Sequence, residues 1–526
     1  MPSQLERSDP EIFLGLVGAV GTDLGSIGHH LKDELHRVGY SADIIRLSDL
    51  MLETDRYAEL RSLIGGYEDE RINQLMDAGD DFRAAAMRGD AVALLAISKV
   101  RAQREALPDS DGEPSNRHAY IFHSLKHPTE VDTLRKVYGQ ALFIISVYSP
   151  RHTRLSALSD RISRSRQQYA ADLYSDTAEA LIEKDEQEVG KPFGQNVRAT
   201  FPLGDVFIDC TELKRAKDQI TRFIEVLFSS PYMTPTMDEY GMFHAKAAAL
   251  RSADLSRQVG AVIMTDHGEI IAAGCNEVPK AGGGAVWEGD VHDQDKDYRD
   301  FRIGHDSTAR MKQEIMAEIF GQLQVMGWLS PELKDIKADE LAIKALYDGD
   351  SPPLKGTRAA SILEFGRMVH AEMFAISDAA RRGISVLNAT LYCTTLPCHM
   401  CARHIIATGL REVVYIEPYP KSMAKDLYRK SIRVDYDTEA DPDAVVFRPF
   451  VGVAPRRYID LFEMPERKDA RGYTIEWKAE TSQPKITQIS NYDDGELICI
   501  EFLDENRIRL RIRGDAGQAE EGEHNG

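Results

Sequence analysis

The sequence predicts an α/β protein in which a parallel-sheet domain is followed by a second α/β domain. Over the first third of the chain, short apolar runs alternate with stretches of helical spacing, a pattern that favours a parallel sheet with helices on both faces. A stretch with two prolines and small polar residues, 229–241, interrupts that pattern, and strands and helices resume after it. The length of 526 residues suits two large domains or about three to four small ones.

The first domain is predicted at residues 1–229. An apolar run at 11–20 leads into a glycine-rich turn, and Ile27, Leu31 and Leu35 then recur with helical spacing. Continuous apolar runs of this kind are typical of strands that are buried on both faces. Further strands are predicted at 42–47, 119–125, 141–149 and 205–210, and a closing helix at 213–228.

The second domain is predicted at 241–460, after a linker at 230–240. Two apolar runs within 258–276 flank an Asp-His-Gly turn, which predicts an antiparallel hairpin. Residues 280–350 are polar and charged and form a predicted insertion. Beyond it we expect strands at 389–395 and 412–418, a helix before each of them, and a C-terminal extension at 461–526 that ends in an acidic disordered tail.

Charge and cysteine content indicate the cellular compartment and the kinds of partner that the protein can have. Lys plus Arg number 64 against 85 Asp plus Glu, a net charge of -21, and such a field repels polyanions and anionic membranes. No apolar run reaches the roughly 18 residues of a membrane helix, and the N-terminus lacks the pattern of a secretory signal. Six cysteines are too few for a disulfide framework. We therefore expect a cytoplasmic protein without membrane contacts.

The clearest chemical signal is a pattern of one histidine, one carboxylate and two cysteines. His370-Ala-Glu372 is followed by a Pro-Cys-x-x-Cys stretch that contains Cys398 and Cys401. His370, Cys398 and Cys401 supply three ligands for tetrahedral zinc, and three ligands with one open position are typical of a catalytic site. Each half of the pattern precedes a predicted helix, whose N-terminus favours a thiolate. The sequence therefore predicts a zinc site with Glu372 close to it.

This signature, H-x-E followed by P-C-x-x-C, is that of zinc nucleobase deaminases. Zinc lowers the pKa of its bound water to about 7, which makes the water a nucleophile for C4 of cytosine at neutral pH. Glu372 then serves as the proton shuttle, first to N3 and later to the departing amine. The alternative is a structural zinc site in which Cys393 or His399 is the fourth ligand. We interpret Cys393 as a core residue and His399 as a surface or lid residue.

Residues 240–440 resemble the cytidine and deoxycytidylate deaminase superfamily, and SADLSRQVGAVIMTDHGEIIAAGCNEVP is similar to the hairpin that opens deoxycytidylate deaminases. The resemblance implies an α/β/α domain, a homo-oligomer, and contacts of Asn276 with the deoxyribose and of Gln258 with the base. It also implies that Gly260 lets the backbone approach the pyrimidine. Turn and strand chemistry is the alternative for Gln258 and Asn276. After the last strand, Tyr419 and Lys421 are candidates for phosphate or base contacts, or else belong to an ordinary loop.

The whole chain resembles the bacterial anti-phage dCTP deaminases, in which a P-loop-kinase-like domain precedes a deoxycytidylate-deaminase-like domain. EFGRMVHAEMFAI, EPYPKS and FVGVAPRRYIDLF carry this resemblance. It implies zinc-dependent conversion of free dCTP and dCMP to dUTP and dUMP plus ammonia, which depletes the dCTP that a phage needs, and in some members inhibition by a small RNA.

Two alternatives to this function remain. The stretch LYCTTLPCHMCARHIIATGL resembles tRNA adenosine deaminases locally. A nucleotide-sensing regulator with a relict zinc site is the second alternative, although such a regulator has no need of Glu372. The acidic net charge favours a free nucleotide over a nucleic acid as the substrate.

The glycine-rich turn of the first domain has the context of a phosphate-binding loop, because it joins a strand to a helix and its amides would face an anion. Asp23 and Leu24 stand where a P-loop carries its lysine. We therefore expect a degenerate kinase fold kept as a sensor or regulatory platform, with active phosphoryl transfer and a purely structural role as the alternatives. The candidate nucleotide-binding residues are Gly18, Gly21, Thr22, Asp23, Gly25 and Ser26.

Two charged clusters lie outside these motifs. Five arginines between 151 and 166 are candidates for phosphate or for an inhibitory RNA, or else form a solvated helix face. In the insertion, four aspartates are candidates for Mg²⁺ bound with a triphosphate, but we interpret them as a solvated charge run. They are Asp293, Asp295, Asp297 and Asp300.

Overall fold

The computed structural model divides into two compact units. Unit 1 comprises Met1–Glu239 and Val451–Gly526, and unit 2 comprises Tyr240–Phe450. The predicted C-terminal extension 461–526 therefore belongs to the same unit as the N-terminal domain. The residues that the structure describes are 9–63, 66–106, 115–188, 191–290, 297–349, 352–362, 365–418, 422–434, 441–464, 466–486, 492–506 and 508, so the predicted acidic tail lies outside them.

Unit 1 is built on a six-stranded sheet. Its strands, numbered along the chain, are β1 (Ile12–Val17), β2 (Ser41–Arg46), β3 (His118–Leu125), β4 (Leu142–Tyr148), β5 (Val206–Asp209) and β12 (Gly452–Val453). The strand order is β12-β5-β4-β1-β3-β2, and every neighbouring pair is parallel except β12 with β5. This arrangement confirms the predicted parallel sheet. All six residues of β1 are buried, as its continuous apolar run predicts.

Helices cover both faces of this sheet. Phe13 packs into one apolar core and Leu14 into the other, because successive side chains of a strand point to opposite faces. The α-helices of unit 1 are α1 (Leu24–Arg37), α2 (Leu47–Glu53), α3 (Glu68–Ala85), α4 (Ala91–Glu105), α5 (Pro128–Tyr138), α6 (Arg151–Ser165), α7 (Ser175–Glu186), α8 (Val197–Thr200), α9 (Leu213–Leu227), α17 (Tyr458–Phe462) and α18 (Asp493–Glu505).

A buried ion cluster joins α18 to the rest of unit 1. Arg104 donates to Glu11 at 2.6 Å and to Glu496 at 2.8 Å, and the three side chains are fully buried. The Tyr492 hydroxyl donates to Glu11 at 2.8 Å. Buried charges of this kind must be paired, so the C-terminal segment completes the ion cluster of this core.

Unit 2 has its own six-stranded sheet. The strands are β6 (Gly260–Met264), β7 (Ile270–Cys275), β8 (Thr390–Thr395), β9 (Glu412–Glu417), β10 (Ile432–Val434) and β11 (Val445–Pro449). Their order is β10-β11-β9-β8-β6-β7. β6 pairs antiparallel with β7 and with β8, which confirms the predicted hairpin, and the other three pairs are parallel.

The helix that leads into unit 2, α10 (Met237–Ala249), begins inside the predicted linker. The Thr236 amide donates to the Glu239 carboxylate at 2.7 Å, and the Glu239 amide donates to the Thr236 hydroxyl at 3.2 Å. This reciprocal pair is a capping box, a sequence pattern that marks a helix start. None of the described helices combines the length and the apolar character needed to cross a membrane. The other helices of unit 2 are α11 (Asp300–Ile303), α12 (Ser307–Val325), α13 (Ala338–Leu346), α14 (Ala371–Arg381), α15 (His399–Ala407) and α16 (Ala424–Leu427).

Candidate metal centre and its pocket

The hairpin β6–β7 positions the start of α14. Glu277, just after the hairpin, pairs with Val369 through two backbone hydrogen bonds of 3.3 and 3.1 Å. The preceding residue, Asn276, accepts the amide hydrogen of Ala371 at 3.1 Å with its side-chain oxygen. These contacts place Asn276 beside His370, the N-cap residue of α14. Two segments about a hundred residues apart are thereby joined at the site.

Two glycines let helices approach the hairpin closely. A Cβ at Gly274 would lie 2.3 Å from the Ala371 oxygen and 2.5 Å from the Ala375 nitrogen, so only glycine lets β7 pack against the first turns of α14. A Cβ at Gly260 would lie 2.0 Å from the Ala245 oxygen in α10. Gly260 therefore accommodates a helix, and its contact with a pyrimidine stays a prediction.

Three metal-binding side chains converge where α14 and α15 begin. The Nδ1 atom of His370 lies 3.3 Å from the sulfur of Cys398 and 3.4 Å from that of Cys401. All three ligand atoms lie within 4.8 Å of one another. His370 and Cys398 are the N-cap residues of their helices, yet neither side chain bonds a helix amide. One imidazole and two sulfurs at these separations fit zinc.

Electrostatics within the cluster favour a thiolate. Hydrogen bonds from Cys401 and then from His370 lower the pKa of the Cys398 thiol to about 4. The contact with Cys398 raises the pKa of His370 to about 9. The hydrogen bond between Cys401 and Cys398, together with burial, raises the pKa of the Cys401 thiol well above its usual value. Since the thiolate is the form that binds metal, the Cys398 sulfur is prepared for coordination.

Glu372 lies in the first turn of α14 and lines the same pocket as His370 and Cys398. The side chain is 5 % exposed. Burial raises the pKa of its carboxyl group, and the positive charge of His370 opposes that rise. A carboxyl group whose pKa is moved toward neutrality accepts and returns protons more readily at neutral pH. Glu372 does not belong to the group of ligand atoms within 4.8 Å of one another, which consists of His370, Cys398 and Cys401 among the described residues.

Cys393, the first of the two alternative fourth ligands, is fully buried in β8 and packs in the core of unit 2. Burial raises the pKa of its thiol well above the usual value. His399, the second alternative, is the first residue of α15 and is partly buried. Within the described part of the chain, the ligand cluster thus comprises three protein side chains.

The pocket in front of this cluster has a volume of about 220 Å³. Besides the residues of the predicted signature, it is lined by the segment 254–257 and by Asp306 and Lys312 of the insertion. Asp306 caps α12 by accepting the amide hydrogen of Thr308 at 2.7 Å, and it also accepts a hydrogen bond from Ser256 at 3.2 Å. The Asp-Ser-Thr pattern at 306–308 signals this helix start, but the sequence contains no signal that the helix borders the pocket.

Of the predicted substrate-binding residues, one lines the pocket and another does not. Asn276 lines the pocket, and its amide group also donates to Asp254 at 3.4 Å and to the Arg257 oxygen at 3.3 Å. Gln258 is exposed, donates to the Ser252 oxygen at 2.9 Å, and is not among the pocket residues. Tyr419 and Lys421 lie outside the described residues.

Two of the four insertion aspartates are buried, so the predicted solvated charge run is wrong for them. Asp297 accepts a hydrogen bond from Arg299 at 2.7 Å, and this contact lowers the pKa of its carboxyl group to about 2. Asp300 accepts from Arg367 at 2.9 Å and lines the pocket. Their charges are neutralised by arginines, which is the condition for burying them. Asp293 and Asp295 lie outside the described residues.

The glycine-rich turn of unit 1 is held by the protein's own carboxylates. The Val20 amide donates to Asp185 at 2.6 Å, and the Ser26 amide donates to Asp23, the N-cap residue of α1, at 3.0 Å. Two amides that would face a bound phosphate are therefore already used. Of the predicted turn residues, those that line a cavity of about 690 Å³ are Gly18, Gly21, Thr22, Asp23 and Gly25, and Ser26 does not.

Four of the five arginines between 151 and 166 are also paired with acidic side chains. Arg164 alone among them has no such partner within the described residues. The pairs are Arg151 with Glu179 and Glu186, Arg154 with Glu186, Arg161 with Glu68, and Arg166 with Asp69 and Glu70.

The metal centre defines the class of this region. Residues 235–417 match the family model of the cytidine and deoxycytidylate deaminase zinc-binding region. Deoxycytidylate deaminases of Enterobacteria phages T2 and T4 are each 46% identical to this chain over 54 residues, which is 10% of this chain and 29% and 28% of theirs. The deoxycytidylate deaminase of Saccharomyces cerevisiae is 47% identical over 51 residues, 10% of this chain and 16% of its own.

These matched segments span less than a third of each of the three relatives. A crystal structure of the dCMP deaminase from cyanophage S-TIM5 with dCMP and dUMP is 18% identical, covers 41% of this chain and 99% of its own, and has a TM-score of 0.22, too low to carry an argument. The family-model match covers His370, Glu372, Cys398 and Cys401. Residues 235–417, most of which lie in unit 2, are therefore similar to the zinc-binding region of cytidine and deoxycytidylate deaminases.

Proposed function

We propose that unit 2 deaminates free deoxycytidine nucleotides, converting dCTP and dCMP to dUTP and dUMP with release of ammonia. The observation that carries this proposal is the buried carboxyl group of Glu372 in one pocket with His370 and Cys398. A zinc site that only stabilises the fold has four protein ligands and needs no proton shuttle. Three ligands with an adjacent acid and an accessible pocket support a hydrolytic role.

His370, Cys398 and Cys401 would hold the zinc ion, which supplies a Lewis acid that makes water reactive at neutral pH. Glu372 removes a proton from the attacking water and delivers it to N3 of cytosine as the C4–O bond forms. It then transfers the second proton of that water to the amino group. The C4–N bond breaks, ammonia leaves, and the base becomes uracil, so cytosine plus water balances uracil plus ammonia.

Four features support a free nucleotide as the substrate. The pocket of about 220 Å³ admits one small molecule. Arg257, which also pairs with Glu417, and Lys312 line it and bring positive charge to the pocket. The net charge of -21 opposes binding of a nucleic acid. Asn276 borders the pocket and has polar atoms suited to a sugar hydroxyl.

On the strength of the resemblance to anti-phage dCTP deaminases, we further propose that the protein depletes dCTP during infection and acts as a homo-oligomer. Unit 1 would then be a degenerate kinase-like regulatory platform, and a small RNA a possible inhibitor. The carboxylates of Asp185 and Asp23 accept the amide hydrogens of Val20 and Ser26. Because these two amides are then not available to a phosphate, the contacts support loss of phosphoryl transfer. Such an RNA would have to bind outside the stretch 151–166, because acidic side chains already pair with four of its five arginines.

The decisive experiment measures ammonia release from dCTP, dCMP, CTP and tRNA by zinc-loaded protein. We expect conversion of the two deoxycytidine nucleotides and no conversion of tRNA. Glu372→Gln should retain zinc, measured by atomic emission, and lose at least about 1,000-fold in kcat, since the general acid and base is removed. Glu314→Gln, at an exposed carboxylate that pairs with Arg310, is the matched control and should keep full activity.

Two results would contradict the proposal. Conversion of tRNA with none of dCTP or dCMP would assign the pocket to nucleic-acid deamination. Unchanged kcat in Glu372→Gln would remove the proton shuttle from the mechanism and leave the zinc site without a catalytic partner.

A further inference from the structure

A cavity of unit 1 lies at the carboxyl ends of three parallel strands. Gly18 follows β1, Arg46 ends β2 and Lys126 follows β3, and all three line the cavity of about 690 Å³. Small ligands of open α/β sheets bind in the crevice outside the carboxyl ends of the strands. The volume lies within the range of pockets for ligands larger than a single phosphate. The place and the size both indicate a ligand site.

The charge in this cavity is positive. Six cationic side chains line it against three carboxylates, Asp23, Glu130 and Asp160. The Glu130 carboxylate is already used, because it accepts the amide hydrogens of Lys126 and His127 at 2.7 and 3.0 Å. The six cations are Arg46, Arg71, Arg83, Lys126, Arg161 and Arg164.

Two of these cations have no partner among the described residues. Arg71 and Arg161 pair with Glu68, and Arg83 pairs with Asp80. Arg46 and Arg164, in contrast, are exposed, and their guanidinium groups make no hydrogen bond or ion pair within the described part of the chain. Unpaired arginines at a cavity wall are suited to an anion that accepts two parallel hydrogen bonds, as phosphate does.

Lys126 lies where it adds to this positive field. Its ammonium group donates to the Gly18 oxygen at 3.1 Å and pairs with Asp185 at 2.8 Å. Nearby, burial and the charges of Arg46 and Lys126 lower the pKa of His123 to about 4, so the imidazole is neutral at neutral pH. The same charges that disfavour a protonated histidine favour a bound anion.

Part of the cavity lining is apolar. It consists of buried side chains from α2, α3 and α4, namely Met51, Ile72, Met76 and Val92. A cavity lined by both cationic and apolar side chains fits a molecule with both kinds of surface. A nucleobase carries a flat apolar face and its phosphates carry the negative charge, whereas an inorganic phosphate has no apolar part.

We propose that unit 1 binds a nucleoside polyphosphate whose phosphates contact Arg46 and Arg164 and whose base lies against Met51, Ile72 and Met76. The glycine-rich turn then serves as one wall of the cavity. Its amides at Val20 and Ser26 remain bonded to Asp185 and Asp23 and do not cradle the phosphates. This site is separate from the proposed deaminase pocket and does not depend on its activity.

Titration calorimetry with ATP and with inorganic triphosphate tests the proposal on the full zinc-loaded chain. Glu372→Gln serves as the background, so that no turnover takes place, and ATP is chosen because it is not a cytosine nucleotide. We expect ATP to bind, with a steep salt dependence. The double variant Arg46→Gln/Arg164→Gln should weaken ATP binding at least about tenfold, since two charge-assisted contacts are lost.

Two control variants accompany the measurement. Arg56→Gln changes an exposed arginine of unit 1 that pairs with Asp81 and does not line the cavity, and it should leave ATP affinity unchanged. Arg46→Lys/Arg164→Lys keeps the charge and should recover part of the affinity. Circular dichroism spectra that match the parent protein show that each variant is folded.

Three outcomes would overturn the proposal. If the parent and the Arg46→Gln/Arg164→Gln variant bound ATP with equal affinity, the two arginines would not contact the ligand. If inorganic triphosphate bound as tightly as ATP, the base and sugar would contribute nothing to binding, and the ligand would not need a nucleoside. Binding of an oligoribonucleotide that ATP does not displace, without binding of ATP itself, would assign the arginines to RNA.

Discussion

The starts of α1 and α14 differ in how their side chains are used. At α1, the N-cap residue Asp23 bonds the amide of Ser26 at 3.0 Å and so satisfies its own helix. At α14, the N-cap residue is His370, whose imidazole bonds no helix amide and lies against two cysteine sulfurs. The amide of Ala371 is satisfied by Asn276 from the hairpin.

This difference shows what turns a helix start into a site. Every helix leaves amides without partners within its first turn. Where the N-cap side chain satisfies them, as Asp23 does, the helix end is stable and its carboxylate repels anions. Where a distant residue such as Asn276 satisfies them, the N-cap side chain is free to bind a metal. The comparison yields four predictions beyond those made above.

The largest effect is expected from Cys398→Ala. Loss of one of three ligands should remove zinc from the protein and lower deaminase activity at least about 1,000-fold. Metal analysis and ammonia release measure the two effects. Cys393→Ala is the matched control, because that cysteine is fully buried nearby in β8 but belongs to the core. Loss of zinc in Cys393→Ala would indicate a closed, structural site instead.

A smaller effect is expected from Asn276→Ala. The Ala371 amide would lose its acceptor, which costs about 0.5–2 kcal/mol for a helix cap. Because His370 and Glu372 sit on that turn, their displacement should lower kcat/KM roughly 10- to 100-fold. Gln258→Ala provides the control, since its exposed amide does not line the pocket and the change should stay within about threefold. Equal losses of kcat/KM in both variants would show that the hydrogen bond between Asn276 and the Ala371 amide does not position the site.

The next prediction concerns pH and His123. Burial, then Arg46 and Lys126, and more weakly His29, lower its pKa from 6.5 to about 4. Between these values the unfolded chain binds a proton that the folded chain does not, so the free energy of unfolding rises with pH across this window. The contribution is at most roughly 3 kcal/mol, and less because the side chain is only partly buried.

Denaturant unfolding at pH 5 and pH 7 measures this effect. His123→Gln should reduce the difference in stability between the two pH values. His267→Gln, at a histidine that is 83% exposed, should leave the difference unchanged. If His123→Gln behaved like the control, the positive field in the cavity would be weaker than the pKa of His123 indicates.

The smallest effect is expected from Asp23→Ala. Removal of the cap of α1 should destabilise the protein by about 1 kcal/mol, measured by urea unfolding. It also removes a negative charge from the cavity wall, so ATP affinity should rise a few-fold. Asp33→Ala, at an exposed position within α1, should change neither quantity appreciably. Weaker ATP binding in Asp23→Ala would mean that this carboxylate supports the ligand.

Much of the fold and of the metal centre follows from local sequence patterns. Apolar runs predict the strands of both sheets, and the Asp-His-Gly turn predicts the β6–β7 hairpin. The spacing of His370, Glu372, Cys398 and Cys401 predicts a zinc site, because each pair lies within one turn of a helix start and keeps its geometry there. The capping box of Thr236 and Glu239 starts α10 inside the predicted linker, and this pattern too is local.

Other features depend on contacts between distant parts of the chain. Gly260 has the same sequence context as a glycine beside a ligand, and only packing against α10 identifies its role. The apparent charge run of the insertion contains Asp297 and Asp300, which are buried because arginines approach them. Periodicity does not report which helix covers which strand, so neither outcome was predictable from local pattern.

The sequence by itself determined the elements, the ligand set of the metal centre and the acid beside it, since these depend on residue types a few positions apart. Only the tertiary structure decided how the two helix starts are used. Asp185 lies 165 residues from Val20, and Asn276 lies 95 residues from Ala371, yet each satisfies an amide at the start of a helix or turn. Which distant side chain reaches an amide is set by packing, and packing is decided by the whole chain at once.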